Sequence, residues 1–232
     1  MIAIEKSSPQ SARGPYGQVN SVPDWVPPLV SAASTAAGWS LGIESDRRMR
    51  GTAINCDIYG YDETTGLAVV QVRETVFHPR RFSRIRKNYF LIGRNETGSA
   101  FAHCVPSPRR STTAMATPEA TVAWVLSKIW DVAIADLSEI ERQGDVAFIP
   151  VGRVPATAER LDGVNEITLA GSHFLRAEEI YRTPDGKLFV RRGARLVHAK
   201  RQHRCVRAKA GLYKVVVGYR EKAWKFSLES HD

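Results

Sequence analysis

Cysteine is almost missing from this chain: Cys56, Cys104 and Cys205 are the whole complement, far apart and without a CxxC pair. That excludes a disulfide framework and a paired-cysteine zinc site, and it leads us to expect reduced thiols in a cytoplasmic setting. Long apolar runs are missing as well. The stretch of lowest charge, residues 29–43, is diluted by Ser, Thr and Gly and is shorter than the roughly 20 apolar residues that span a bilayer. Residues 1–6 lack the charged segment and apolar run of a signal peptide, so no membrane partner is expected. There is no GxxxxGKS/T loop, no GxGxxG after a strand, no HExxH and no GxSxG. P-loop, Rossmann, zincin and hydrolase-elbow chemistry therefore have no foothold, and no cofactor or resident metal is expected. Internal repeats and heptads are absent too.

What the chain does have is positive charge. Its 33 Lys and Arg outnumber 24 Asp and Glu, a formal balance of +9, which attracts phosphate backbones and other anionic surfaces whatever the fold. A hydrophobic content of 43% over 232 residues places it among globular chains able to bury a core, as one large domain or two small ones.

Residues 1–28 are rich in Pro, Ser and Gly and read as a flexible arm. A short helix is expected over 29–39. From Thr52 the apolar period becomes two: Ile54, Cys56 and Ile58, then Ala68, Val70 and Val72 across a turn at 62–66, form one hairpin. Segments 89–92 and 99–105 flank a turn at 95–98 as a second. Thr117, Pro118 and Glu119 open a helix over 117–133, whose Val122, Val125, Leu126, Ile129 and Trp130 make one apolar stripe that can cover the hairpins. Beyond 140, short strands return at 145–151, 166–170, 179–182, 187–192, 195–199, 203–209, 212–219 and 223–229. The expected fold is α+β. A β-rich N-terminal region (29–141) packs on one amphipathic helix, and a small C-terminal β barrel or sandwich (142–232) follows.

The last third concentrates the cations. Arg191, Arg192, Lys200, Arg201, Arg204 and Arg207 are the candidate phosphate contacts there, within a run of cations from Arg176, Arg182, Lys187 and Arg195 to Lys209, Lys214, Arg220, Lys222 and Lys225, with Tyr213 and Tyr219 or Trp224 as stacking partners for bases. An earlier run over 80–87 adds Arg81, Arg84 and Arg86. The bland alternative is that these cations solvate sheet edges. His173, His198 and His203 support a different reading: three imidazoles at the ends of neighbouring strands, with Asp145 or Glu221 beside them, would suit a metal-dependent hydrolase or nuclease. Lys200, Arg201 and Arg204 raise the cost of a dication at that place.

The order of Arg142, Gln143, Gly144, Asp145 and Val146, then Gly171, Ser172 and His173, then Leu196 and His198 with His203, then Gly211 and Tyr213, and finally Arg220 and Glu221 resembles a group of small uncharacterised bacterial and phage proteins. The likeness covers residues 142–222 and implies a compact β module and little about function; an origin in a mobile element or phage belongs to the nucleic-acid expectation below. The group carries a second histidine near the Gly-His turn and an acidic residue before the later His; this chain has Phe174 and Leu175, and Lys200, Arg201 and Gln202, at those places. The leading expectation is a basic, non-enzymatic protein associated with DNA or RNA. The rivals are the histidine-based hydrolase and an adaptor for an acidic protein.

Overall fold

The computed structural model describes residues 22–38, 42–44, 52–76, 84–95, 97–200 and 204–218. The fold is α+β, and the chain divides into two compact units between Val125 and Leu126. Arg81, Arg201, His203, Glu221 and the expected strand 223–229 lie outside the described residues.

The first unit opens with helix α1 (Val26–Ala36), which carries proline in its first turn, where a missing N–H costs nothing and the fixed φ suits the helix. Residues 26–28 therefore belong to a helix and not to the arm assigned to 1–28. Strands β1 (Gly42–Glu44), β2 (Thr52–Asp62), β3 (Leu67–Val76), β4 (Arg84–Arg94) and β5 (Ala100–Val105) follow as one antiparallel sheet in chain order. The two expected hairpins are β2–β3 and β4–β5. Alternation sends Ala68, Val70, Val72, Phe90 and Ile92 to one face, where they pack with Val26, Leu29 and Ala33 of α1. The cover on this face is thus α1, which corrects the expectation of a single covering helix.

Helix α2 (Pro118–Trp130) starts as its sequence dictates: the Thr117 hydroxyl accepts the Ala120 N–H at 3.1 Å. It ends in a left-handed Asp131 (φ 54°), with the Val132 N–H on the Ser127 carbonyl, a Schellman closure. Its entry lies against β2. Gly60 follows a bulge at Tyr59, and a Cβ there would stand 2.5 Å from the Pro118 carbonyl oxygen, so only glycine permits the approach.

Burial, and after it the Asp57 carboxylate, pushes the Cys56 thiol up to about 12, whereas Cys205 is exposed. Only the thiolate attacks disulfide reagents. Cys205 is therefore expected to react with such a reagent at pH 8 in the native protein, and Cys56 only after denaturation. Native labelling of Cys56 would contradict its burial.

The second unit holds β6 (Glu141–Gln143), β7 (Val146–Pro150), β8 (Glu159–Arg160), β9 (Glu166–Leu169), β10 (His173–Arg176), β11 (Glu179–Arg182), β12 (Leu188–Arg191), β13 (Arg195–His198), β14 (Val206–Arg207) and β15 (Leu212–Val217). They build a six-stranded sheet, β6-β7-β15-β12-β11-β8, and a four-stranded one, β14-β13-β10-β9, all antiparallel pairs. Both sheets are open, so of the two forms expected for this module, barrel or sandwich, the closed barrel does not form. One apolar cluster draws on both: Phe148, Ile180, Val190 and Val215 from the larger, Leu175 and Leu196 from the smaller. Many short strands around a shared core are what alternating residues and closely spaced turns produce.

Candidate functional site

The four-stranded sheet positions both sets of candidate residues, one on each face. In β10 and β13, His173 stands directly opposite His198, and Leu175 opposite Leu196; Phe174 and Arg176 alternate with them and pair with Val197 and Arg195. The histidines therefore share the face of the buried leucines, at 1% and 3% exposure, and the arginines take the other face.

The two imidazoles meet edge to face, with centroids 4.9 Å apart. His198 Nδ1 accepts the Lys200 backbone N–H at 3.2 Å, which leaves that ring's proton on Nε2. His173 Nδ1 lies 3.3 Å from Ser172 Oγ and 3.6 Å from an Asp145 carboxylate oxygen. Asp145 comes from the tight β6–β7 turn, where Gly144 is left-handed (φ 56°) and the Gly218 N–H donates to the Asp145 carbonyl at 2.7 Å. Gln143, fully buried beside it, donates from Nε2 to the Arg204 carbonyl. Three separated motifs of the sequence, around Asp145, His173 and His198, thus converge. A serine nucleophile, however, needs the ring nitrogen opposite to the one its carboxylate orients. Here Ser172 and Asp145 share Nδ1, so the group is no nucleophile–base–acid relay; it is a buried polar tie between a turn and two strands. Among the described residues no group of three or more His, Cys, Asp or Glu side chains is placed to hold a metal ion.

The expected phosphate contacts fall into distinct groups. Arg191 and Arg192 are exposed but lie 4.0 and 3.7 Å from the Glu179 carboxylate. The hydrogen bond from the Tyr181 hydroxyl, followed by Arg192, Arg160 and Arg191, holds that carboxyl below the usual range against the cost of desolvation. The charge of this pair is accordingly shared with a neighbouring anion. Lys200, Arg204 and Arg207 are exposed. In the first unit, Arg84 begins β4 and Arg86 is half-buried opposite Glu74 in register. Tyr213 is 6% exposed and packs its ring on Phe148, 5.8 Å between centroids, so this expected stacking residue is core.

Register creates a feature that the linear order of residues does not reveal. Glu166, Arg176, Arg195 and Arg207 are successive direct partners across β9, β10, β13 and β14. Glu166 takes the Arg176 guanidinium in an ion pair. Among the described residues, Arg195 and Arg207 have no carboxylate partner within ion-pair distance. Directly opposed side chains stand about 5 Å apart at Cβ, and like charges there repel. The row borders an open cleft of about 890 Å³, whose wall also carries Asn165 and Glu178. Phe174, half-buried, lies on the same strand face two residues from Arg176. The signal that could have found this row is the alternation of Arg176, Arg195 and Arg207 with Leu175, Leu196 and Val206, once the pairing of their strands is known. No family model, no curated protein and no solved structure matches this chain.

Proposed function

We propose that this is a non-enzymatic nucleic-acid-binding protein whose contact surface is the outer face of the four-stranded sheet. The observation that carries the reading is the Arg176–Arg195–Arg207 row, which holds like charges side by side with a single carboxylate paired into it. Such repulsion is a standing cost in the unbound protein, and a bound polyanion relieves it. Phe174 supports nucleic acid over an acidic protein as the partner, because an aromatic ring on the same strand face as the arginines offers a stacking surface to a base and nothing comparable to a carboxylate. Lys200 and Arg204, exposed on the segment that leads into β14, extend the positive field.

The test is fluorescence anisotropy of labelled single-stranded DNA, single-stranded RNA and duplex DNA, titrated with the full chain between about 50 and 200 mM salt. Binding is expected to at least one of them, falling by roughly tenfold or more over that range if two or more phosphates are neutralised. Absence of binding to all three, or tighter binding of poly-glutamate, would overturn the proposal.

A further inference from the structure

An open cleft lies beside the arginine row. Resting on the binding reading above, we infer that it takes a terminal phosphomonoester, carried by a strand end or by a free mononucleotide.

Charge is the first argument. A phosphodiester carries one negative charge, whereas a phosphomonoester carries about 1.5 to 2 at pH 7 and has three acceptor oxygens. Arg195 and Arg207, adjacent across β13 and β14 and without carboxylate partners among the described residues, offer two cations to a single group. Their planar forks suit a phosphate bearing several free oxygens. The second argument is what flanks them. Glu166 closes the row at β9, and Glu178 stands on the cleft wall, where it lies over the left-handed Gly193 (φ 61°). A strand threading through the cleft would bring its next phosphates toward these carboxylates. An end has a following phosphate on one side only, and a mononucleotide has none. Distance is the third argument. Phe174 precedes Arg176 by two residues on one strand, about 7 Å. Arg195 stands directly across from Arg176, so a phosphate held at Arg195 has the Phe174 ring, which lies outside the cleft, diagonally across one strand spacing for its base.

The experiment compares one oligonucleotide in three forms, with a 5′ phosphate, with a 3′ phosphate and with hydroxyls at both ends, each titrated with the full chain at fixed salt; AMP is added as competitor. One phosphorylated form is expected to bind about tenfold tighter than the hydroxyl form, the worth of one added charge-assisted hydrogen bond. That preference should vanish in a variant carrying Arg195→Lys and Arg207→Lys, which retains charge and loses the fork. Displacement by AMP at concentrations comparable to the phosphorylated strand would identify the free mononucleotide as the ligand; displacement only at large excess would identify the strand end. Equal, salt-sensitive binding of all three forms would overturn this inference while the polyanion reading survived. No binding by any form would overturn both.

Discussion

Replacing Arg195 and Arg207 together by alanine should weaken the binding of a single strand about a hundredfold at low salt, given about 1.5 kcal/mol for each charge-assisted hydrogen bond removed. The same change should flatten the plot of log affinity against log salt by about 0.7 for each phosphate that the pair neutralises on a single strand, one if both arginines hold the same terminal phosphate. Two comparisons make the result specific. Arg191→Ala with Arg192→Ala removes the same formal charge, but from side chains that share the Glu179 carboxylate, so the loss of affinity should be clearly smaller. Phe174→Ala should cost about 1–3 kcal/mol of stacking and leave the salt slope unchanged, because no counterion is released by a ring. An equal loss of affinity from both arginine pairs would mean that the surface acts only through its overall field. A change in slope on removing Phe174 would take the base away from that ring.

The parts of this fold that were legible in the sequence are those governed by residues close together along the chain. The strand over 179–182 and its partner β12 follow from alternation and from the turn at Pro184, Asp185 and Gly186, which needs a left-handed glycine (φ 84°). The α2 start followed from Thr117 and Pro118. Short elements escaped: β6 has three residues and β8 two, too few to show a period, and β10 is hidden behind Gly171 and Ser172. The start of α1 was misplaced because Pro27 and Pro28 look like breakers until they are set in a first helical turn. The arginine row was illegible for a deeper reason. Arg176, Arg195 and Arg207 lie far apart in the chain and become neighbours only through the register of β10, β13 and β14. The sequence drew attention instead to Arg191 and Arg192, which are adjacent in the chain but share an anion, and to Tyr213, whose aromatic character serves the core. The histidines fall between these cases: their place at strand ends was readable, but the pairing of His173 with His198 on the buried face was decided by register and alternation together.

That same dependence on register makes the core of the second unit decisive for the site, and Phe148→Ala is the change expected to show it. Phe148 is 0% exposed, stands between Glu141 and Val215 on the neighbouring strands, and packs its ring on Tyr213. It belongs to the apolar cluster that also holds Leu175 and Leu196, the residues whose outward neighbours are Arg176 and Arg195. Truncating a buried Phe costs about 3–5 kcal/mol, from forfeited transfer energy and from the cavity left behind. Against a typical total of about 5–15 kcal/mol this is a large fraction, and a domain of this size loses about 4–8 °C per kcal/mol. The melting transition of this unit should therefore fall by more than about 10 °C, and oligonucleotide binding should disappear over the same, lowered temperature range, because the row exists only while its strands are paired. Tyr213→Phe, which keeps the ring in the core, should preserve binding at temperatures where the unit stays folded. Binding that outlasts the melting of the unit in Phe148→Ala would show that clustered charge suffices without the register. A loss of binding in a folded Tyr213→Phe would show that the tyrosine hydroxyl, and not only its ring, serves the contact surface.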